Sequence, residues 1–323
     1  MEEHPVLAPR GFTALTAPIE ELGAALTACL RKNATGLLCT GPSRFGKSSA
    51  REFITGNLRR SMPVFSQFVQ EFDQAGTAPK FWRGFKVDGT HDELQVSSPY
   101  DALMARVALE CDRLKTPRVM FVLDEAQGLT DQQIRMLKFL TENLIERKFH
   151  PFVLMYAQPE IQPWVDRIKL TRPDLFARFF TDQLKFRGLK LGQVERPLSH
   201  YDTACWPVGS PVTYTRHFLP ELWSRGWRMQ AQAKGLWDAF VALAGRLQVG
   251  SADLEVACES LTRAALLLML ALQEEPERAG SRELFQEVVE KSGFVELLMV
   301  VREARKPTSK KSGRHDERNS LVF

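Results

Sequence analysis

The sequence is poor in cysteine, in histidine and in long apolar runs. Its 323 residues include five cysteines and six histidines, and their spacing matches neither a metal-ligand set nor a redox pair. A disulfide scaffold and a zinc site are therefore disfavoured, and the thiols suit a reducing cytosol. The longest apolar run, residues 264–272, is too short to span a bilayer. The first residues lack the apolar segment of a signal peptide, so we expect a cytoplasmic protein with no membrane partner.

The sequence also has little net charge, because 43 Lys and Arg against 39 Asp and Glu leave +4. Residues 302–323 account for this whole surplus, so residues 1–301 are neutral overall. A surface that binds anions on the folded part must therefore arise from local clusters of basic side chains. The composition, 44% hydrophobic and 25% charged, is that of a globular protein rather than a disordered or fibrous one.

Short apolar runs alternate with helical periodicity up to about residue 189. A continuous apolar run bounded by turn residues is typical of a strand buried on both faces of a parallel sheet. Five such segments are predicted as strands: 36–40, 62–68, 119–123, 152–156 and 184–186. Because helical segments separate them, the sequence predicts an α/β doubly wound sheet.

The pattern changes near residue 190. Residues 190–227 contain four prolines and several glycines without a persistent period, which predicts an irregular insertion. Beyond it, helical periodicity predicts a smaller all-α unit with helices at 230–247, 252–273 and 281–302. The predicted organisation is an N-terminal segment and helix (1–34), an α/β core (35–189), the insertion (190–227), the helical unit (228–304) and a basic flexible tail (305–323).

Residues 41–48, GPSRFGKS, match the phosphate-binding pattern GxxxxGK[ST] at every position. This phosphate loop follows a predicted strand and opens a helix, so its backbone N–H groups and the helix N-terminus can surround a phosphate. Lys47 would neutralise the β- and γ-phosphates, and Ser48 would ligate Mg²⁺. The predicted ATP-binding residues are Gly41, Pro42, Ser43, Arg44, Phe45, Gly46, Lys47, Ser48 and Ser49.

A second motif follows the apolar run at 119–123. Asp124 and Glu125 stand at the predicted carboxyl end of that strand, which is where open α/β sheets bind ligands. Asp124 would hold Mg²⁺ through water, and Glu125 would orient the attacking water. An acid directly after the metal-binding aspartate favours hydrolysis of ATP to ADP and phosphate over transfer to another substrate.

Residues 41–48, 122–127 (VLDEAQ) and 176–179 (FARF) together resemble the motifs of AAA+ ATPases. The resemblance covers about residues 16–188, and its nearest group is the transposition regulators of the TnsC, TniB and MuB type. ExeA-like and replication-initiator-like ATPases share the DEAQ and ARF forms. The resemblance implies a P-loop AAA+ domain, with a parallel sheet flanked by helices, followed by a smaller all-α lid at 228–304.

The resemblance also implies residues that complete the site. Gln158 stands where relatives carry the polar residue called sensor 1, after the fourth strand, although many of them have Asn or Thr there. Arg178, with Arg172 as the alternative, stands where an arginine finger would reach the nucleotide of a neighbouring subunit. Arg263, preferred over Arg282, would be the lid arginine that contacts ATP.

Relatives of the TnsC type form helical filaments on duplex DNA, which they contact through loops around the second strand. The matching interval here carries Lys80, Arg83 and Lys86, interleaved with aromatic residues that include Trp82, and has no acid from residue 79 to 87. Basic side chains of this kind can contact DNA phosphates without recognising the DNA sequence. These four residues are the predicted DNA-binding residues. The basic tail at 305–323 could be an arm that binds DNA, a solubilising end or a docking segment for a transposase or target selector, and we favour docking because residues 321–323 end it with an apolar anchor.

The sequence therefore predicts a DNA-binding AAA+ regulator of transposition that uses ATP and Mg²⁺. It would assemble with itself as a ring or filament on double-stranded DNA, recruit a transposase and a target selector, and disassemble on ATP hydrolysis. Two alternatives remain open. One is a signalling, defence or ExeA-like P-loop NTPase that acts on protein partners without DNA, and the other is a replication-initiator-like AAA+ ATPase.

Overall fold

The computed structural model describes residues 4–8, 11–69, 78–87 and 98–305. The expectations for the tail after residue 305 lie outside these ranges. The described strands are β1 (Gly36–Thr40), β2 (Val64–Phe68), β3 (Lys86–Val87), β4 (Arg118–Asp124), β5 (His150–Ala157) and β6 (Gln183–Lys185). They form one six-stranded sheet in the order β3-β2-β4-β5-β1-β6. Five strands are parallel, and only the edge strand β3 runs antiparallel to its neighbour β2.

Helices cover both faces of this sheet. Those of the α/β core are α1 (Ala17–Arg31), α2 (Lys47–Leu58), α3 (Ala78–Arg83), α4 (Pro99–Arg113), α5 (Asp131–Glu146), α6 (Gln162–Thr171) and α7 (Pro173–Phe179). Successive residues of β4 point to opposite faces, so Phe121 packs in the core under α3–α7 while Met120 and Val122 pack in the core under α1 and α2. Burial on both faces explains why this strand is continuously apolar.

The remaining helices form a second unit with its own core. They are α8 (Glu195–Thr203), α9 (Tyr214–Phe218), α10 (Pro220–Ser224), α11 (Ala233–Arg246), α12 (Cys258–Glu274), α13 (Arg282–Glu290) and α14 (Phe294–Arg305). Together with the parallel sheet flanked by helices, this unit confirms the predicted fold class, an α/β domain followed by a smaller all-α domain. Among the described helices, none combines the length and apolarity needed to cross a bilayer.

The segment expected to be an irregular insertion, residues 190–227, differs from that expectation. It holds α8, α9 and α10, and their side chains Leu198, Tyr201 and Phe218 share one core with α11–α13. These helices have only five to nine residues, which is too short for a hydrophobic period to be recognised in the sequence. The segment is therefore part of the helical unit.

The helix expected over 281–302 is also different, since it is divided into α13 and α14. Gly293, directly before α14, has φ +76°, a left-handed conformation that interrupts helical geometry and that glycine adopts without steric cost. The apolar period continues across this break because both helices pack against the same core. Because the apolar period is continuous, the sequence pattern gives no sign of the break between α13 and α14.

Candidate nucleotide-binding site

The phosphate loop lies at the carboxyl edge of the sheet, between β1 and α2. Its two glycines are required by different geometry. A Cβ on Gly41 would lie 2.4 Å from the carbonyl oxygen of Phe186, which follows β6. Gly46 is the N-cap of α2 with φ 107°, in the left-handed region that disfavours other residues. Gly41 is thus required by the close approach of the Phe186 backbone, and Gly46 by its left-handed backbone conformation.

Lys47, the first residue of α2, is only 8% exposed. Its Nζ donates hydrogen bonds to the carbonyl oxygens of Gly41, at 2.5 Å, and Pro42, at 2.8 Å. Burial lowers the pKa of the ammonium group, while the charge of Glu125 opposes that shift. The positive charge therefore stands inside the loop, at the place where phosphate oxygens would be received.

Asp124, the last residue of β4, is 7% exposed and both of its carboxylate oxygens have partners. Arg51 donates through one guanidinium nitrogen to Oδ2 at 2.5 Å, and the backbone N–H of Glu125 donates to Oδ1 at 3.1 Å. Burial raises the pKa of this carboxyl group, and the charge of Arg51 acts in the opposite direction. No motif in the sequence pointed to Arg51. The available signal was its position four residues after Lys47, since residues at that spacing share one face of a helix.

Glu125 is held by two side-chain amides, Gln127 and Gln158, which we call the amide clamp. Its Oε2 accepts hydrogen bonds from Gln127 Nε2 at 2.5 Å and from Gln158 Nε2 at 3.1 Å. The clamp is closed by the backbone N–H of Gln158, which donates to Gln127 Oε1 at 3.1 Å. The structure thus brings Gln158, predicted as sensor 1, to Glu125. Gln127 was missed, although it lies two residues after Glu125 in the same motif.

The helical unit touches the phosphate loop. Phe45 of the loop is buried in the same core as Ala257, the residue before α12. A Cβ on Gly46 would lie 3.4 Å from the Cβ of Cys258, the first residue of that helix. Arg263, the predicted lid arginine, lies on α12 and donates to Glu259 at 3.1 Å. The alternative, Arg282, is the first residue of α13.

The two candidates for the arginine finger are engaged within their own chain. Arg178, on α7, donates to Glu142 at 3.0 Å and to Thr141 at 3.2 Å, both on α5. Arg172, between α6 and α7, forms two hydrogen bonds with Asp174, at 3.0 and 2.9 Å. Either guanidinium must leave these partners before it can reach a neighbouring subunit.

The predicted DNA-binding residues lie on α3 and β3, at the edge of the sheet. Lys80, Arg83 and Lys86 are exposed. Trp82 is 7% exposed, and its ring packs against the rings of Phe81 and Tyr100. The structure therefore places the three bases on the surface and the tryptophan in the core.

The donor set at the loop fits a nucleotide-bound Mg²⁺. Among the residues that the structure describes, no cluster of three His, Cys, Asp or Glu side chains could bind a metal alone. Mg²⁺ in nucleotide sites needs no such cluster, because phosphate oxygens and waters supply most ligands beside one or two protein oxygens. The Ser48 hydroxyl at the start of α2 and the Asp124 carboxylate at the end of β4 are oxygen donors of this kind.

Comparison with known proteins agrees with this geometry. Residues 30–165 match the family described as AAA domain. The chain is similar to the Aeropyrum pernix ORC2 protein, solved as ADPNP-ADP complexes, with 13% identity and a TM-score of 0.52 over 85% of this chain and 66% of that one. No curated protein sequence matches.

Two further solved structures were found with lower TM-scores. The Aeropyrum pernix ORC1 protein, in complex with DNA, has 17% identity and a TM-score of 0.45 over 89% of this chain and 67% of that one. The Walker-type ATPase of Pyrococcus abyssi has 14% identity and a TM-score of 0.46 over 88% and 75%. At such identities the likeness to ORC2 concerns the fold, and this chain spans about two thirds of the length of that protein.

Proposed function

We propose that this protein is an AAA+ ATPase that hydrolyses ATP to ADP and phosphate at the phosphate loop. The observation that carries the proposal is the amide clamp. Two amides, one from the turn after β4 and one from the end of β5, converge on a carboxylate that directly follows the buried Asp124. A carboxylate held in one orientation beside a phosphate-binding loop is the group that nucleotide hydrolysis requires for its water.

Each residue has a role that follows from its position. Lys47 and the N-terminus of α2 would receive the phosphates, while the Ser48 hydroxyl would ligate Mg²⁺ and Asp124 would hold it through water. When bound, the metal neutralises charge that develops on the transferred phosphoryl group. Glu125 orients the attacking water, and Gln158 keeps the accepting oxygen of Glu125 in place. Arg263 is the proposed contact from the helical unit to the nucleotide.

The proposal is tested by Glu125→Gln. Loss of the carboxylate should slow hydrolysis by at least about 100-fold, a typical contribution of a group that positions or activates the nucleophile, while ATP affinity stays within about twofold. Glu146→Gln removes the same charge from the exposed end of α5 and should leave both quantities unchanged. Normal turnover in the first variant would remove the catalytic role from Glu125.

We propose further that ATP binding drives self-assembly on double-stranded DNA, as a ring or filament, and that hydrolysis reverses it. The exposed Lys80, Arg83 and Lys86 support DNA contact, since three basic side chains at one edge of the sheet can bind the phosphates of DNA. Arg178, with Arg172 as the alternative, is the proposed contact to the nucleotide of the next subunit. Trp82 supports this edge by packing α3 on the core rather than by touching DNA.

At the finest level we propose a regulator of transposition, which recruits a transposase and a target selector through the tail at 305–323. The DEAQ and ARF forms of the motifs agree with this group, which shares them with ExeA-like and replication-initiator-like ATPases. Deletion of 306–323 should spare ATPase activity and DNA binding but reduce recruitment of the transposase in a pull-down.

A gel-shift experiment distinguishes this function from that of an NTPase that acts on proteins alone. Only the DNA-binding function predicts an ATP-dependent, salt-sensitive shift of a duplex of random sequence. Preference for one origin sequence would favour a replication initiator.

A further inference from the structure

We propose that Arg51 is an internal competitor of Mg²⁺ for Asp124, so that binding of Mg·ATP requires this guanidinium to leave. The proposal rests on the proposed function and concerns the regulation of the same site. It assigns a role to a residue of α2 that belongs to neither nucleotide-binding motif. Arg51 would set the Mg²⁺ concentration at which the site becomes loaded with nucleotide.

The position of Arg51 follows from the helix that the phosphate loop begins. Lys47 and Ser48 occupy the first turn of α2, and Arg51 lies one turn further on, on the same face. That face looks toward the end of β4, where one guanidinium nitrogen donates to Asp124 Oδ2 at 2.5 Å. The guanidinium thus stands on the carboxylate to which the metal would bind through water.

The charge balance of the site explains why a cation is needed there. Asp124 has a side chain that is only 10% exposed, and a buried carboxylate without a partner is strongly unfavourable. Lys47 does not serve it directly, because its Nζ bonds the carbonyl oxygens of Gly41 and Pro42. Arg51 is therefore the cation that compensates Asp124 before a metal arrives.

Mg²⁺ at the same carboxylate changes that balance. Two cations next to one carboxylate repel each other, and this repulsion is stronger at a partly buried site than in bulk water. The other oxygen of Asp124 already accepts the backbone N–H of Glu125, so the contact most easily given up is the one with Arg51.

The surroundings of Arg51 allow that movement. Its side chain is 23% exposed, and a second guanidinium nitrogen lies 3.7 Å from the carboxylate of Glu52, which is 42% exposed. A rotation of the long side chain toward Glu52 and solvent would move the guanidinium away from Asp124 and keep it in contact with water. The pair with Asp124 can therefore open at little cost once Mg²⁺ replaces the cation.

The experiment measures binding of a fluorescent, non-hydrolysable ATP analogue to the full chain as a function of free Mg²⁺. Arg51→Gln should lower the Mg²⁺ concentration for half-maximal binding by about tenfold, which corresponds to loss of one competing charged hydrogen bond. Arg51→Lys keeps the charge and should lie within about threefold of the wild type. Arg60→Gln makes the same change of charge at an exposed position just beyond the far end of α2 and should have no effect.

Circular dichroism and thermal melting in EDTA accompany the binding curves. Arg51→Gln should keep its helical signal but melt at a lower temperature than the wild type in EDTA, because Asp124 is then left without its cation. Saturating Mg²⁺ and ATP analogue should reduce that difference in melting temperature.

The outcomes separate the two proposals. If wild-type protein binds the ATP analogue but Arg51→Gln leaves the Mg²⁺ dependence unchanged, or shifts it upward, competition by Arg51 is wrong and the proposed function stands. A loss of analogue binding by Arg51→Gln at saturating Mg²⁺ would overturn it too, since the arginine would then bind the phosphates. If the wild type binds no analogue at any Mg²⁺ concentration, the proposed function fails and this inference fails with it.

Discussion

At the scale of single residues, Glu125 combines an uncommon backbone conformation with a defined set of side-chain partners. Its φ of 54° lies in the left-handed region, which costs a non-glycine residue on the order of 1 kcal/mol. The turn places the carboxylate against Gln127 and Gln158 rather than along the strand direction. Local strain of this kind is found where surrounding contacts over-determine a functional position.

The amide clamp makes a prediction for both glutamines. Gln127→Ala and Gln158→Ala should each reduce the rate of ATP hydrolysis by about tenfold, the equivalent of one hydrogen bond to a charged group. ATP affinity should change by less than about twofold, because the clamp holds the water-orienting group rather than the phosphates. Single-turnover hydrolysis and equilibrium binding measure the two quantities. Gln162→Ala, on α6, is the control, and an equal loss in that variant would contradict the role of the clamp.

His4 is a second residue whose environment has a measurable consequence. The imidazole is 4% exposed and packs against the rings of Trp206, Tyr214, His217 and Phe218 at 4.7–5.0 Å. Burial, followed by the charge of His217, lowers the pKa of His4 from 6.5 to about 4. The ring is therefore neutral in the folded protein at a pH where it is protonated in the unfolded chain.

Stability should consequently fall as the pH falls from 6.5 toward 4. In this range the unfolded state binds a proton that the folded state excludes, so the free energy of unfolding rises with pH. We expect His4 to contribute on the order of 1 kcal/mol to the difference between pH 7 and pH 5. Urea unfolding at the two pH values should show a smaller difference for His4→Phe than for the wild type. An unchanged difference would mean that other groups cause the pH dependence.

At the scale of elements, the edge formed by α3 and β3 makes the surface proposed for DNA. Its three bases, Lys80, Arg83 and Lys86, project from a short helix and a two-residue strand. The buried Phe81 and Trp82 hold this helix on the core between them. Packing of the aromatic residues therefore fixes the position of α3, and the basic residues between them supply the positive charge of the proposed DNA surface.

Replacement of Lys80, Arg83 and Lys86 by Gln should weaken DNA binding uniformly across sequences. If all three contact phosphates, the slope of log affinity against log salt should decrease in magnitude by about 2.7, or about 0.9 per contact. Filter binding or fluorescence anisotropy at several salt concentrations measures this slope. A matched triple replacement of Arg225, Lys234 and Lys291, exposed on the helical unit, should leave the slope unchanged. Equal slopes in the two triple variants would place the DNA surface elsewhere.

At the scale of the whole molecule, the helical unit and the sheet meet around the phosphate loop. Leu189 and Val256 form an isolated bridge that ties the end of the α/β core to the segment before α12. Phe45 is buried beneath the same segment. The helical unit therefore contacts the phosphate loop directly, while Arg178 on α7 and Arg172 before it are the residues proposed to contact a nucleotide of another subunit.

A mixing experiment tests the contact between subunits. Lys47→Ala should abolish nucleotide binding but leave Arg178 intact, whereas Arg178→Ala should leave the loop intact. If Arg178 acts on the neighbouring nucleotide, a mixture of the two inactive variants should regain a substantial part of the wild-type ATPase rate on DNA. Arg172→Ala in place of Arg178→Ala tests the alternative. Strictly additive rates in both mixtures would contradict an arginine supplied by another subunit.

The sequence was most informative where function depends on local backbone geometry. The spacing of the phosphate loop specifies a strand, a turn and a helix start within twelve residues, and the structure has β1, Gly46 in the left-handed region and α2 there. The apolar run before Asp124 likewise predicted β4, because burial on both faces leaves no polar position in it. The short helices of 190–227 were not predicted, because their apolar side chains are buried only through a core that they share with α11–α13.

The sequence by itself determined the α/β architecture, the phosphate loop and the two carboxylates at the end of β4. These features are encoded in residues that are near neighbours along the chain. Only the tertiary structure decided that Arg51 pairs with Asp124 and that Gln127 and Gln158 converge on Glu125. Residue spacing alone cannot fix such contacts, because Arg51 on α2 and Gln158 after β5 meet the end of β4 only in the folded chain.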